Sequence, residues 1–449
     1  MLRLRARASP ELEIATCALA VRFAALGPRA RVIVVAHNGP ALACALLAAL
    51  RSGAEVLGVP PRTPPAALAD LAHQLGAKLV LAEPRLGGGE SLAFDALLRA
   101  PRTIDGPRDF SGAVLLTTSG TTGFPRIVRR SVRAVDFIAR TSAEALALGP
   151  GDRSLLAIPL FHSYGLDQLT AALLAGARAV LHAGFNPALV RRELAEGGIT
   201  HLPAVPTMVD ALARLAGDQA ASAVLRCVVS AGSALSERVA RAFEEKLGVA
   251  VGQVYGSSEL GTVTATRAGD PLGCVGRALP GVTLRVLDRA APNPEKPVAI
   301  GEEGIVAVAA PSRFDGYVGS ADAPAELVNT GDLGRLDDAG RLWLNGRASL
   351  LIDVGAVKVN SLEVEALLLG HPDVRDVVVL PLPFSDTGAR LRAVVVPEPG
   401  RTPTRDALRR YARERLIDYK VPRVFEIRED VPRSPTGKIL RGELLREPR

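Results

Sequence analysis

Leu116-Thr117-Thr118-Ser119-Gly120-Thr121-Thr122-Gly123-Phe124-Pro125-Arg126 is a hydroxyl- and glycine-rich segment that directly follows an apolar run. Glycines let the main chain approach a ligand closely, and amides and hydroxyls donate to phosphate oxygens, so such a loop can wrap a polyphosphate. It is not a Walker A loop, because the G-x-x-x-x-G-K-[ST] spacing is missing. The same composition also describes an ordinary Ser/Thr/Gly turn after a strand, and composition alone does not separate the two. Cys17, Cys44, Cys227 and Cys274 are scattered, with no C-x-x-C pair and no His at ligand spacing. That pattern argues against a disulfide framework or a zinc site and for an intracellular, cytoplasmic chain.

A loop of this kind needs rigid elements around it. From residue 31 to 255, short β-branched runs (32–36, 79–82, 114–117, 154–158, 179–182, 225–230, 250–254) alternate with helical periods (40–50, 67–76, 166–175, 236–247). This alternation predicts an α/β body of parallel βαβ-type sheets covered by helices. After Gly261 the texture changes to short strands broken by Gly, Pro and Asp turns, including 283–287, 304–309 and 341–344, as in a β-rich subdomain. Residues from about 348 read β-α-β-α, with a helix at 362–369 capped by Ser361, extended runs at 374–380 and 391–396, and a helix at 405–416. The expected domains are therefore 1–347, with its β-rich subdomain at about 262–346, and a small α+β domain at 348–449.

The chain has 449 residues, of which 48% are hydrophobic and 22% charged, which excludes disordered, collagenous and coiled-coil classes. Its net charge of +7 is Arg-rich but spread among acids, as at 191–196, and no groove of interleaved aromatic and basic residues accompanies it. A nucleic-acid binder is prompted by charge alone and is not expected. The longest apolar helix, 40–50, is shorter than the ~20 residues that span a bilayer. Glu11 and Glu13 interrupt the approach to the apolar run at 14–21, which is poor signal-peptide design.

The loop at 117–126 resembles the phosphate-binding motif of the adenylate-forming superfamily, which contains acyl-CoA synthetases, aryl-CoA ligases and adenylation domains. Further motifs follow in that family's order. Pro159-Leu160-Phe161-His162-Ser163-Tyr164-Gly165-Leu166 is similar to its acid-pocket motif, and Gln253-Val254-Tyr255-Gly256-Ser257-Ser258-Glu259 to its adenine and magnesium motif. Asn329-Thr330-Gly331-Asp332 matches its ribose motif, Gly346-Arg347 opens its hinge, and Pro435-Thr436-Gly437-Lys438-Ile439-Leu440-Arg441 matches its lysine motif.

The resemblance implies ATP-dependent conversion of a carboxylic acid to an acyl-adenylate, then thioester formation. Thr118, Ser119, Gly120, Thr121, Thr122, Gly123 and Arg126 would hold the phosphates, with Ser233, Tyr255, Gly256, Asp332 and Arg347 on the nucleoside. Tyr255 offers a flat face for adenine, Gly256 lets base and acyl group pass the backbone, and Glu259, beside Ser258, would hold Mg²⁺. Lys438 would be carried in by a mobile C-terminal domain to stabilise charge on the α-phosphate. Read singly, Tyr255 is equally a core aromatic, Glu259 a helix-start charge, Asp332 or Arg347 a turn residue or surface ion pair, and Lys438 a solvated tail residue.

Arg126 stands where the family has Lys, Ile127 where it has Gly, and Ser258 where it has Thr; the charge and hydroxyl are kept, so activity is expected to survive. Ser349 occupies a hinge position usually filled by Asp or Lys. The segment before Arg31 is shorter than in most relatives, leaving the body's first helix and strand to be located. Phe161-His162 replaces the Asp that binds an α-amino group in amino-acid-activating relatives, so a hydrophobic fatty or aromatic acid is expected, with His162 as gate. Residues around 207–209, 230–235 and 257–261 are expected to set the pocket depth. Coenzyme A is the expected acceptor, with the phosphopantetheine of an acyl carrier protein as alternative. A catalytically silent nucleotide-binding relative is the third possibility.

Overall fold

In the computed structural model, which describes residues 10–84, 90–91, 110–118, 126–215, 224–290, 296–320, 322–354, 357–385, 388–434 and 439–446, two compact units divide the chain. One comprises Met1–Thr283 and Val308–Val328, the other Leu284–Ala307 and Asn329–Arg449.

In the first unit, the apolar run Arg31–Val35 is strand β1, buried along nearly its whole length as a strand covered on both faces must be. It pairs in parallel with β2 (Glu55–Val59) and β3 (Leu79–Ala82). β3 continues to β4 (Glu90–Ser91), and β2 to β5 (Ala113–Thr117). Helix α2 (Pro40–Ser52) starts with Pro in its first turn and stops at Gly53, whose φ of 77° is the left-handed cap conformation. It is apolar nearly all round because it is covered on both sides, packing on α1 (Pro10–Ala24) and the sheet. That locates the body's first helix.

The sheet is not wholly parallel. β6 (Ile127–Ser131) runs antiparallel to β5, and β16 (Gly316–Tyr317) antiparallel to β6. The physical reason is length: the connection 118–126 is too short for the crossover a parallel pair requires. The second sheet contains parallel strands β7 (Arg153–Leu156), β8 (Arg178–Leu181), β9 (His201–Ala204), β10 (Cys227–Ser230) and β11 (Val251–Ser257). It goes on, antiparallel, through β12 (Gly261–Ala265) and β13 (Cys274–Ala278).

In the second unit, strands β14 (Thr283–Leu287), β15 (Gly304–Ala309), β17 (Val328–Leu336) and β18 (Arg341–Arg347) lie side by side in that order. The hairpin β19 (Leu351–Val354) and β20 (Val357–Asn360) follows, then the long antiparallel pair β21 (Val374–Ser385) and β22 (Gly388–Pro397), with β23 (Val424–Ile427) parallel to β22. Val359, Val364, Leu368, Val377, Leu391, Val395 and Phe425 form this unit's core. The expected boundary at Arg347 falls inside the unit rather than at its edge. The helix Ser361–Leu369 is capped by Asn360, whose Oδ1 accepts from the Leu362 amide at 3.1 Å; Ser361 is its first residue, not its cap. Among the described residues no helix is long and apolar enough to cross a membrane.

Candidate active site

The hairpin β5–β6 fixes both ends of the hydroxyl-rich loop. The Thr118 amide donates to the Arg126 carbonyl at 2.8 Å, and its hydroxyl to the same oxygen at 3.3 Å. Ser119, Gly120, Thr121, Thr122 and Gly123 lie outside the described residues. At the loop's exit the Arg126 guanidinium sits 4.6 Å from the centre of the Tyr317 ring, and the Tyr317 hydroxyl donates to Glu259 Oε1 at 3.1 Å. The fold therefore brings together Arg126 and Glu259, both expected from sequence, through Tyr317, which sequence reading missed.

Tyr317 arrives because β16 pairs with β6 in a register that sets it opposite Val128. Phe314 packs edge-on against its ring, and the Phe314 amide donates to the Glu259 carbonyl at 2.8 Å. Burial and the adjoining Glu259 carboxylate both push the Tyr317 phenol upward, so it stays a donor at neutral pH. Tyr317→Phe keeps the ring under Arg126 and removes only the donor. The expected result is a several-fold higher free Mg²⁺ requirement for pyrophosphate formation, with the melting temperature little changed, since one hydrogen bond contributes about 1 kcal/mol. A Mg²⁺ titration of the two proteins checks this, and superimposable curves would separate Tyr317 from Glu259.

Tyr255 and Gly256 lie at the end of β11, and Ser258 and Glu259 occupy the turn that joins it to β12. A side chain cannot be added at Gly256, where a Cβ would lie 2.0 Å from the Gly261 carbonyl oxygen. Gly261 itself has φ of 71°, a left-handed conformation that suits glycine. The Tyr255 ring is largely covered, at 9% exposure, while Gly256 is exposed. The Glu259 amide donates to Ser257 Oγ at 3.2 Å. Ser233 is exposed in the loop after β10, at the carboxyl ends of the parallel strands, where open α/β sheets bind ligands.

His162 precedes the helix Ser163–Leu174, with its ring 4.8 Å from that of Phe161. Its Nε2 is sealed from solvent with no hydrogen-bond partner among the described residues, and burial pushes the imidazole down to about 4. His162 is thus neutral at physiological pH and able to act as an apolar gate. The folded state resists protonation that the unfolded chain accepts at the ordinary value near 6.5. Its stabilising contribution is present above that pH and is lost as pH falls through about 4. Melting curves between pH 7 and 4 are expected to show a decline that is shallower in His162→Asn.

Tyr164 is half-buried and donates to the Val229 carbonyl at 3.0 Å. Of the expected pocket residues at 207–209, only Thr207 is exposed. Met208 and Val209 are turned into the core with Leu194 and Leu212, a correction that follows from the amphipathic period of the helix Pro206–Arg214.

In the second unit, β17 and β18 set Asp332 opposite Arg347, and Arg347 Nε donates to Asp332 Oδ1 at 2.6 Å. A turn prepares this pair: the Asp332 amide donates to Thr330 Oγ1 at 3.1 Å, and Gly331 takes a φ of 72°. An acidic and a basic group held side by side can serve adjacent hydroxyls of a sugar. Lys438 lies outside the described residues, as does the side chain of Ser349.

Residues 10–318 match the family model described as AMP-binding enzyme, and residues 363–438 that of the AMP-binding enzyme C-terminal domain. The chain is 32% identical over 389 residues to 2-succinylbenzoate–CoA ligase of Geobacillus kaustophilus, covering 83% of this chain and 78% of that protein. It is 33% identical over 352 residues to the fatty acid–[acyl-carrier-protein] ligase ScoC of Streptomyces coeruleorubidus, covering 73% and 66%. The fold is that of ATP-bound MatB from Rhodopseudomonas palustris, with a TM-score of 0.87 at 24% identity over 97% of this chain and 92% of that one. With the motif order, the paired hairpins and both family domains in place, the chain belongs to the AMP-binding enzyme family and is an adenylate-forming acid–thiol ligase.

Proposed function

We propose that this ligase activates a hydrophobic carboxylic acid, fatty or aromatic, with ATP and passes the acyl group to the thiol of coenzyme A. The observation that carries this reading is the meeting of Arg126 and Glu259 on Tyr317 at the exit of the phosphate loop. A cation and a carboxylate held this way can grip the two ends of a metal–triphosphate. Thr118 and the loop after it would bind phosphate oxygens, and Tyr255, Gly256 and Ser233 the adenosine. Asp332 and Arg347 would take the ribose hydroxyls.

The donor set at Glu259 suits Mg²⁺. One carboxylate oxygen is held by Tyr317, and among the described residues the other has no protein partner. Mg²⁺ is commonly bound through one or two carboxylates together with substrate phosphates, the arrangement a single free carboxylate oxygen at Glu259 would suit. Glu259 would hold the ion, and Mg²⁺ bound there would supply charge neutralisation at the phosphates. The carboxylate of the acid attacks the α-phosphate, Lys438 stabilises the charge that builds there, and pyrophosphate departs. A lid formed by 348–449, turning near Ser349, would then withdraw Lys438 so that the thiol can attack the acyl carbon and release AMP. Neutral His162, packed at a tilt against Phe161, favours an uncharged acyl body over a free α-amino acid.

One similar protein is a CoA ligase, which supports coenzyme A as acceptor; another is a carrier-protein ligase, which supports phosphopantetheine as the second reading. The cytoplasm, which supplies both ATP and coenzyme A, is the compartment this chemistry suits. Pyrophosphate release with MgATP across fatty, aromatic and amino acids, each with and without coenzyme A, tests the proposal. Release driven by a fatty or aromatic acid, with a coenzyme A thioester as product, is expected. Release with amino acids only would overturn the acid class. Adenylate accumulating without thioester until a carrier protein is added would move the acceptor to the carrier.

A further inference from the structure

We propose that the buried Arg130–Asp167 ion pair positions the turn carrying Ser258 and Glu259, making both residues positioning groups for the adenylation step. The inference rests on the adenylation reading above and deepens it. Neither residue belongs to any motif that the sequence analysis singled out.

Arg130 is fully buried, as is Asp167 at 2% exposure. Removing a guanidinium and a carboxylate from water is costly, and such a pair is poor evidence for stability taken alone. What the pair accomplishes is visible in its other bonds. Arg130 Nε donates to the Ser258 carbonyl at 2.9 Å, and Nη2 to the Ser257 carbonyl at 2.8 Å and to Ser163 Oγ at 2.6 Å. Nη1 donates to Asp167 Oδ1 at 2.7 Å. The other carboxylate oxygen, Oδ2, accepts from the Thr262 amide at 3.2 Å and its hydroxyl at 3.3 Å.

The turn 257–262 is therefore held at its entry by Arg130 and at its exit by Asp167. The two anchors come from different elements, strand β6 and the helix Ser163–Leu174. Between the anchored atoms lie Glu259 and Gly261, and a Cβ added at Gly261 would lie 2.2 Å from Ile138 Cδ1. The turn has no slack. Arg130 is four residues beyond Arg126 on the same chain segment, and Ser163 adjoins His162, so the clamp gives the phosphate-loop exit, the acid gate and the Glu259 turn one common reference. A planar fork with separated donors can span two carbonyls and a hydroxyl while pairing with a carboxylate; a single ammonium cannot.

Arg130→Lys keeps the charge facing Asp167 and loses the fork. With folding confirmed by thermal melting, acid-dependent pyrophosphate formation is expected to fall in kcat by about 10–100-fold, the scale on which small misplacements act. The free Mg²⁺ needed for half-maximal rate is expected to rise. Thioester formation from a supplied acyl-adenylate and coenzyme A, which does not use the pyrophosphate-side turn, is expected to hold its wild-type rate. Asp167→Asn, which keeps an acceptor for Thr262 but leaves Arg130 without its counter-ion, is expected to show the same selective loss. Equal losses in both half-reactions, or a loss matched by the unfolded fraction, would assign the pair to folding alone and overturn the inference. A wild-type protein that releases no pyrophosphate with any acid sinks the adenylation reading itself, an outcome visible before any variant is made.

Discussion

Replacing Lys438 with Ala is expected to lower pyrophosphate formation about 10²–10³-fold, the usual effect of removing one preorganised group that meets transition-state charge. Conversion of a supplied acyl-adenylate to the thioester should proceed at close to the wild-type rate. The asymmetry follows from where charge develops. Attack of a carboxylate on the α-phosphate places negative charge on that group, whereas thiol attack on the acyl carbon leaves it as a departing monoester. The described residues on either side of Lys438 are anchored within the second unit. Before it, Arg433 pairs with Asp376. After it, Arg441 grips the Glu365 carboxylate with two donors at 2.5 and 2.6 Å and the Val379 carbonyl at 3.2 Å. The Leu440 amide closes the segment onto the Pro432 carbonyl at 2.8 Å. Measuring the two half-reactions separately checks the prediction, and parallel losses in both would rule out alternation of a lid.

Candidate chemistry is legible in the sequence where a short run of neighbouring residues could perform it. The hydroxyl-rich loop after β5, the run from Tyr255 in β11 to Glu259 in the following turn, and the Asp332 turn each place their proposed groups within a few positions. Residue type and spacing are then enough to read them. The alternation of apolar runs and helical periods was likewise enough for the two-sheet body, because burial on both faces leaves an unmistakable β-branched run at β1.

What was not legible depends on pairing between distant segments. Tyr317 lies far along the chain from Glu259, in a two-residue strand whose side chains meet Arg126 and Glu259 only because of its register with β6. Arg130 and Asp167 read as ordinary charges on a strand and a helix until the packing buries them against each other. β9 contains Pro203 and is only four residues long, so composition speaks against a central strand that register nonetheless requires. The division of the chain into compact units is hard to read for a related reason. Strands β15, β17 and β18 carry no sequence mark of which unit their neighbours belong to, and compactness alone assigns them with the C-terminal piece.

Glu259→Gln is expected to lower adenylation about 10–100-fold at ordinary Mg²⁺, on the scale of losses seen when metal-site partners are removed. Glutamine keeps the length, and its carbonyl can still accept the Tyr317 hydroxyl, so the turn held by Arg130 and Asp167 should persist. Only the charge is lost. This makes the variant a cleaner probe than Ala, which would also leave the Tyr317 hydroxyl without its partner. A carboxylate that works by binding Mg²⁺ and one that works as a general base predict different rescue. In the first case raising free Mg²⁺ restores much of the rate, because an amide oxygen is a weaker ligand but still a ligand. In the second case no concentration of metal helps, and the loss follows pH. Lys438→Ala should resist metal rescue in either case. If Glu259→Gln behaves in the same way, the carboxylate acts on the reacting atoms directly and the metal assignment at Glu259 is wrong.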